Sequence, residues 1–216
     1  MARARHKYGG TCLVSFSGGK DSLACLDLAC RTFDHVTCFY LYFLPGAEVT
    51  EQPLEYARQK FKVPILYYPH WLLWKCLRMG LYCVPNPSYA DLAVVNVIAF
   101  YNVIRQDTDN TRCIIHGAKR ADSVWRRRTM GNRKQGDPDV VYPLEHWKKA
   151  DVVRYLDQRN ITAPDTHAGN ATGIGLTHQC ILWLYDKHPA DYRRLLYYFP
   201  YAGAVVERRK MYGLSK

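Results

Sequence analysis

The sequence lacks the patterns that mark several classes of protein. Its eight cysteines include no Cys-x-x-Cys pair, which argues against a zinc knuckle or a cysteine-ligated iron–sulfur cluster. The longest apolar run, residues 38–44, is far shorter than the roughly 20 residues of a membrane-spanning helix. The basic residues 1–7 lead into no hydrophobic signal core. We therefore expect a cytoplasmic protein with no zinc, no iron–sulfur cluster and no membrane insertion.

Negative charge is also scarce. The chain has 30 Lys and Arg against 19 Asp and Glu, which gives a formal net charge of +11. Its 216 residues are 48% hydrophobic, enough for a folded domain with a full core. A basic excess of this size indicates an anionic partner, and composition alone leaves open a nucleotide, a nucleic acid or a lipid surface.

Strands and helices alternate along most of the chain. This alternation predicts an α/β fold with a parallel sheet and right-handed crossovers. Cys12, Cys38 and Cys113 fall in predicted strands and are interpreted as small buried hydrophobes. The predicted strands are 11–16, 35–43, 64–68, 112–116 and 139–142. The first predicted helix starts at Asp21. Further helices are predicted at 51–62 (with Thr50 as its cap), 71–79, 90–106, 148–159 and 176–198. Residues 71–106 are predicted to form a helical insertion, and 117–138 and 163–175 to form loops.

A glycine turn follows the first predicted strand. Residues 17–22 read Ser-Gly-Gly-Lys-Asp-Ser and bring backbone amides, two hydroxyls and a lysine to a helix N-terminus, which makes an anion cradle. The Walker pattern is excluded because Asp21 follows the lysine, and the dinucleotide pattern because Gly18 and Gly19 are adjacent. An acid beside a phosphate cradle implies a cation, so Asp21 is the candidate ligand for Mg²⁺.

Three segments resemble one enzyme family. Ser-Phe-Ser-Gly-Gly-Lys-Asp-Ser at 15–22 resembles the pyrophosphate (PP) loop of the adenine nucleotide alpha hydrolase superfamily. Residues 117–123, Gly-Ala-Lys-Arg-Ala-Asp-Ser, followed by Arg126, Arg127 and Arg128, are similar to a segment of its phosphoadenosine phosphosulfate (PAPS) reductase-like branch. Residues 142–156 resemble the strand and helix that follow in that branch. The resemblance covers roughly residues 10–165.

The resemblance implies a fold and an activity. The fold is a Rossmann-like (HUP-type) parallel five-stranded sheet with flanking helices, and the bound nucleotide is ATP with Mg²⁺ or PAPS. The activity is cleavage of ATP at the α-phosphate to AMP and pyrophosphate, which adenylylates an unknown acceptor for sulfur or nitrogen transfer. Related enzymes often form dimers, so a homodimer is allowed. The division expected is a basic N-terminal arm (1–10), a nucleotide-binding domain (11–165) and a helical C-terminal extension packed on it (166–216).

The candidate site residues come from these segments. Electrostatic stabilisation of an in-line displacement assigns catalysis to Lys20, Asp21, Arg120, Arg126 and Arg127. The nucleotide-binding set is Ser17, Gly18, Gly19, Lys20, Asp21, Ser22, Gly117, Lys119, Arg120, Asp122 and Ser123, with the backbone of Phe39, Tyr40 and Leu41 against the adenine. The window 117–134 holds seven basic residues and one acid, so it supplies +6 of the +11. Arg133 and Lys134 in that window are interpreted as solvated.

The sequence differs from the reductases of the family in two segments. A thiol-dependent PAPS reductase is therefore kept only as an alternative to ATP cleavage. The Glu-Cys-Gly-Leu-His segment of the reductases is absent, and the one late cysteine is Cys180, either a buried structural residue or a reactive thiol near His178. The second predicted strand ends in Tyr-Phe-Leu-Pro-Gly at 42–46, where the branch has Asp-Thr-Gly. The histidines show no metal-ligand spacing and are interpreted as structural or surface groups: His35, His70, His116, His146, His167 and His188.

A second alternative is a protein that binds or modifies DNA or RNA. Basic residues lie near both ends of the chain, at Arg3, Arg5 and Lys7 and at 208–210. Tyrosines alternate with arginines at 192–198 in a pattern that suits contact with phosphates and stacking on bases. The same tyrosines also suit packing of a C-terminal helix onto the sheet, and the sequence leaves both interpretations open.

Overall fold

The computed structural model describes residues 1–89, 95–131, 137–163 and 175–213. The five strands are β1 (Thr11–Ser15), β2 (His35–Tyr42), β3 (Ile65–Pro69), β4 (Ile114–His116) and β5 (Val140–Val141). The ten helices of the described ranges are α1 (Ala2–Tyr8), α2 (Lys20–Cys30), α3 (Glu48–Phe61), α4 (Trp71–Met79), α5 (Val97–Gln106), α6 (Val124–Gly131), α7 (Lys149–Gln158), α8 (His178–Lys187), α9 (Pro189–Tyr198) and α10 (Gly203–Met211).

The strands form one parallel five-stranded sheet in the order β3-β2-β1-β4-β5. The central strand β1 pairs with β2 and with β4, and Ser15 lies opposite both Phe39 and His116. Cys12, Leu13 and Val14 are all buried, because helices cover both faces of such a sheet. The predicted α/β class with a Rossmann-like parallel sheet is therefore confirmed.

The chain divides into two compact units. The first unit comprises Met1–Leu41, Pro53–Tyr68 and Asn96–Pro164, and it contains most of the sheet. The second unit comprises Tyr42–Gln52, Pro69–Val95 and Asp165–Lys216. This division is not linear, since segments within the expected domain 11–165 group with the C-terminal residues. The expected boundaries at 10 and 165 stay a prediction.

The second unit has its own apolar core. Cys180, Ile181 and Leu184 of α8 pack in one cluster with Leu195 of α9 and Val206 of α10. The predicted helix 176–198 is wrong as one element. His188 separates α8 from α9, because Pro189 at the first position of α9 has no N–H with which to continue α8.

Two further predictions of local structure are wrong. Thr50 does not cap the helix after β2, because α3 already starts at Glu48 and the Thr50 hydroxyl donates to Ala47 O at 2.8 Å. Residues 124–131 of the predicted loop 117–138 form α6, whose first turn is capped by Ser123 Oγ accepting from Arg126 N at 3.0 Å. Of the predicted helix 90–106, residues 97–106 form α5, and 90–94 lie outside the described residues.

The N-terminal residues, expected as a basic arm, contain α1. Ala4 is buried, and Arg5 makes an ion pair with Asp34 at 2.8 Å. The Tyr8 hydroxyl donates to Pro138 O at 3.1 Å, so the middle and the last residue of α1 are held to the rest of the first unit. Across the described ranges, every helix is too short or too polar to span a lipid bilayer.

Candidate functional site

Within the described residues, no side chain caps the start of α2 after the turn that follows β1. The N-cap residue of α2 is Gly19, which has no side chain to accept from the first-turn N–H groups. Gly18 has a φ of 77°, and a Cβ there would lie 3.0 Å from Pro53 Cβ, so the turn requires glycine. Ser22 Oγ donates to Gly19 O at 2.8 Å and lies 3.3 Å from Ser17 Oγ. The amides and the two hydroxyls thus form one polar surface at the start of an 11-residue helix.

The segment after β4 lies directly against this turn. A Cβ at Gly117 would be 3.2 Å from both the backbone carbon and the oxygen of Asp21. Such a contact is closer than ordinary packing allows, so the approach of the two backbones depends on Gly117 having no side chain. The two motifs, about 100 residues apart in sequence, therefore meet at the carboxyl ends of the adjacent strands β1 and β4.

Lys119 connects the two motifs electrostatically. Its side chain is only 3% exposed, and its ammonium lies 2.6 Å from Asp21 Oδ2 and 3.1 Å from Asp122 Oδ1. Lys20 Nζ also contacts Asp21 Oδ2, at 2.9 Å. A buried ammonium is costly unless it is paired, and two carboxylates pair this one. Lys119 therefore orients Asp21, whereas Lys20, whose side chain is 32% exposed, remains accessible to a ligand.

Asp122 organises the second motif. Its Oδ2 accepts from the backbone N–H of Lys119 at 2.9 Å and from Arg126 Nη1 at 2.7 Å. Partial burial raises the pKa of Asp122, but the hydrogen bonds from Lys119 and Arg126 outweigh it and hold the pKa below its ordinary value. Asp122 is thus ionised at neutral pH and fixes the turn from Lys119 to Arg126.

Asp21 keeps one oxygen available. Within the described part of the chain, Asp21 Oδ1 is buried and has no hydrogen-bond partner. The same residues contain no group of three or more His, Cys, Asp or Glu side chains that would hold a metal by themselves. Mg²⁺ is often held by one or two carboxylates together with substrate phosphates. The site therefore fits Mg²⁺ in that form, with Asp21 as its protein ligand.

The arginines of the second motif differ in their surroundings. Arg120 Nε lies 3.4 Å from Glu145 Oε1, and the Arg120 backbone N–H donates to Glu145 O. Arg126 is partly exposed beside Asp122, and Arg127 is exposed on α6. Arg133 and Lys134 lie outside the described residues. Arg127 is therefore the most exposed of the predicted catalytic arginines, while Arg120 and Arg126 are each paired with a carboxylate.

The end of β2 borders the turn through its backbone. The Phe16 N–H donates to Phe39 O at 2.9 Å, immediately before Ser17. The Phe39 side chain is fully buried and its ring meets Tyr101 edge-on at 6.0 Å, so it belongs to the core. Beyond Phe39, β2 continues past the end of β1 to Tyr42, and the adenine contact expected at Tyr40 and Leu41 stays a prediction.

Sequence reasoning missed two residues beside the site. Glu145 holds Arg120 and lies within the segment 142–156, but the resemblance assigns it no role. His116, interpreted as a structural histidine, ends β4 next to Gly117, and its Nδ1 accepts from Ala118 N at 3.1 Å. Burial, and the nearby Arg126 charge, lower the pKa of His116 to about 4. The position of His116 at a strand end was the only available signal. His167, treated in the same way, lies outside the described residues.

None of the eight cysteines has the surroundings of a reactive thiol. All eight lie in the described residues as free thiols, and burial raises the pKa of each above its ordinary value. Cys180 is 1% exposed in the apolar core of the second unit, where its sulfur accepts from Gly175 N at 3.4 Å. Reactive cysteines instead have a lowered pKa and solvent access.

Comparison with known families gives one match. The family model of the phosphoadenosine phosphosulfate reductase domain matches residues 11–180, which is most of the chain. The matched range includes both motifs of the site and ends at Cys180. No curated protein matches the chain.

Proposed function

The chain belongs to the phosphoadenosine phosphosulfate reductase domain family, and from this membership we propose that it cleaves ATP at the α-phosphate. The family is part of the adenine nucleotide alpha hydrolase superfamily of PP-loop enzymes. The products proposed are pyrophosphate and an adenylylated acceptor, from which sulfur or nitrogen transfer then releases AMP. The acceptor is a separate substrate, with DNA and RNA among the candidates.

The start of α2 is the observation that carries the proposal. Free first-turn amides and the positive end of the helix dipole attract phosphate. Ser17 and Ser22 offer hydroxyls at the same point, and Lys20 adds a partly exposed ammonium. Because β1 is the central strand, a nucleotide here lies at the carboxyl edge of the sheet, where open α/β sheets bind ligands.

The residues divide the work of an in-line displacement. The acceptor attacks the α-phosphorus, the bond from that phosphorus to the bridging oxygen breaks, and pyrophosphate leaves with the bonding electrons. Lys20, Arg126 and Arg127 stabilise the charge that develops on the phosphate oxygens. Lys119 fixes the Asp21 carboxylate, whose Oδ1 would hold Mg²⁺. When bound, Mg²⁺ supplies further neutralisation of phosphate charge.

The thiols favour ATP cleavage over the reductase alternative. A thiol reductase needs a thiolate that attacks the sulfur of PAPS, and a raised pKa disfavours the thiolate at neutral pH. Burial raises the pKa of Cys180, and its side chain packs among apolar residues. The chain's own cysteines therefore support adenylyl transfer rather than thiol-dependent reduction.

A paired assay separates the two reactions. We expect the protein with ATP, Mg²⁺ and a pool of candidate acceptors to release pyrophosphate, and to release no sulfite from PAPS with a thiol donor. Lys20→Ala removes the accessible ammonium and should abolish pyrophosphate release, while Lys149→Ala, an exposed lysine of α7, should not.

The outcomes discriminate cleanly. Sulfite release that disappears in Cys180→Ser would establish the reductase instead. Pyrophosphate release by Lys20→Ala at the wild-type rate would contradict the site assignment, provided that both variants unfold at the wild-type temperature.

A further inference from the structure

The second unit carries exposed arginines and tyrosines on α9, on the turn after it, on α10 and just past the end of α10. We call these residues the Arg–Tyr surface: Arg193, Tyr197, Tyr201, Arg208 and Tyr212. Tyr197 is 82% exposed, Tyr212 69% and Tyr201 55%, and both arginines are exposed. Tyrosine rings normally bury most of their apolar area, so three exposed rings within 16 residues are unusual.

This surface is not the face by which the helices pack. On α9 the buried residues are Asp191 and Leu195, and on α10 they are Val205 and Val206. The exposed pairs instead follow the spacing of one helix face, because each arginine precedes a tyrosine by four residues. The sequence had left open whether the tyrosines of 192–198 pack against the fold, and Tyr197 does not.

The charges of the second unit single out the same arginines. Residues 175–213 contain six Lys or Arg and three Asp or Glu. Each acid already has a basic partner: Asp186 pairs with Arg209, Asp191 with Arg194 and Glu207 with Lys210. Over the ranges that the structure covers, Lys187, Arg193 and Arg208 have no carboxylate within ion-pair distance. Arg193 and Arg208 therefore carry exposed, unpaired positive charge, and each precedes an exposed tyrosine by four residues.

We propose that the Arg–Tyr surface binds single-stranded nucleic acid. Arginine guanidinium groups suit phosphate oxygens, and exposed tyrosine rings stack on unpaired bases, whose faces a duplex conceals. A membrane-surface helix has Trp, Phe or Leu on its apolar face, and none of the five residues of the Arg–Tyr surface is one of these. The surface lies in the second unit, so the proposal goes beyond nucleotide cleavage and does not depend on it.

The test is fluorescence anisotropy with a labelled 12-nucleotide oligo-dT, the matching oligo-U, a duplex of the same length and anionic phospholipid vesicles. We expect both single strands to bind more tightly than the duplex or the vesicles. Tyr197→Ala should weaken single-strand binding at least about fivefold, while Tyr197→Phe, which keeps the ring, should bind like the wild type. Tighter binding of oligo-U than oligo-dT would indicate RNA as the partner.

Salt dependence tests the arginines separately. Each phosphate contact on a single strand contributes about 0.7 to the slope of log affinity against log salt, so Arg193→Ala with Arg208→Ala should lower the slope by about 1.4. Arg154→Ala removes one exposed charge from α7 of the first unit and should leave the slope unchanged. An unchanged slope in the double variant, tighter binding of duplex or vesicles, or wild-type affinity in Tyr197→Ala would each overturn the proposal. Because all of these side chains are exposed, unfolding curves should match the wild type.

Discussion

Two aspartates, one in each compact unit, both lie at the N-terminus of a helix, yet their oxygens are used differently. Asp191, 2% exposed, accepts from the backbone N–H groups of Glu48 and Val49 at 2.9 Å, one on each oxygen. Asp21 has both lysine contacts on Oδ2, and Oδ1 has no partner within the described residues. A carboxylate with both oxygens bonded holds the fold together, whereas one with a free oxygen is available to a ligand.

The surrounding charges follow the same division. Around Asp21, one buried ammonium is shared between two carboxylates, and Arg126 extends the cluster. Around Asp191, a single arginine closes the contact, with Arg194 donating to both Asp191 and Gly46 O. A cluster of charges around a carboxylate that has one oxygen without a hydrogen-bond partner indicates a ligand-binding site. Charges paired one to one indicate a structural contact.

The largest effect should separate the two aspartates by activity. Asp21→Ala should reduce ATP cleavage about 10²- to 10³-fold, the usual cost of removing a group that stabilises a charged transition state. It should change stability little, because Lys119 keeps Asp122 as its partner. Steady-state pyrophosphate release and urea unfolding measure the two effects. Wild-type activity in Asp21→Ala, or unfolding of this variant, would contradict the assignment of Asp21 to the site rather than to the fold.

The next effect should separate them by stability. Asp191→Ala leaves two part-buried backbone amides without their charged acceptor and Arg194 without its carboxylate, so we expect a loss of about 3 to 5 kcal/mol. Asp186→Ala removes the partly exposed pair with Arg209 and should cost less than about 1 kcal/mol. Urea unfolding compares the variants. Equal losses of unfolding free energy in the two variants would contradict the structural role of Asp191.

The pH dependence of the unfolding free energy should arise from a residue of the first unit, His116, which lies next to the clustered charges. The pKa of His116 is lowered to about 4 in the folded protein, against about 6.5 when unfolded, so the unfolded state binds the proton first as pH falls. Stability should be complete above pH 6.5 and fall by about 2 to 3 kcal/mol towards pH 4. His116→Asn keeps an acceptor for Ala118 and removes the titration, so its unfolding free energy should vary less over this window. An identical pH profile would contradict the assignment.

The smallest effect concerns a third aspartate, the buried Asp27 on α2. Its Oδ2 accepts from the Tyr155 hydroxyl at 2.5 Å and from Arg159 Nε at 3.2 Å, which ties α2 to α7. Tyr155→Phe removes one of these bonds and should cost about 1 kcal/mol in urea unfolding. Activity should stay near the wild-type level, because Arg159 still holds α2. A loss of activity as large as that of Asp21→Ala would assign Asp27 to the site rather than to the fold.

The sheet and the two motifs were predictable because their signals are local. Strand β1 is a short apolar run, and Gly18 and Gly117 mark turns where a side chain would come too close to neighbouring atoms. The predicted strands agree with the observed ones to within two residues. Each motif directly follows a predicted strand of a parallel sheet, so the sequence also predicts that the two motifs meet at one edge of the sheet.

The contacts between distant residues were not predictable. The carboxylate that caps the N-terminus of α3 belongs to Asp191, about 140 residues away in sequence. The local sequence shows only Thr50 as a candidate cap, so it predicts the wrong residue. Lys119 looks like a phosphate ligand in sequence, and only its burial between Asp21 and Asp122 shows that it orients a carboxylate. Helix α6 was missed because its residues are mostly polar and arginine-rich, without the apolar period that signals a helix.

The most direct test of the account is calorimetric titration of the protein with ATP and Mg²⁺, compared with PAPS, in the wild type, Lys20→Ala and Lys149→Ala. We expect one saturable site per chain, ATP bound more tightly than PAPS, affinity reduced at least about tenfold in Lys20→Ala, and wild-type affinity in Lys149→Ala. Equal affinity in Lys20→Ala, or no binding of either nucleotide by the wild type, would contradict the assignment of the α2 N-terminus as the nucleotide site.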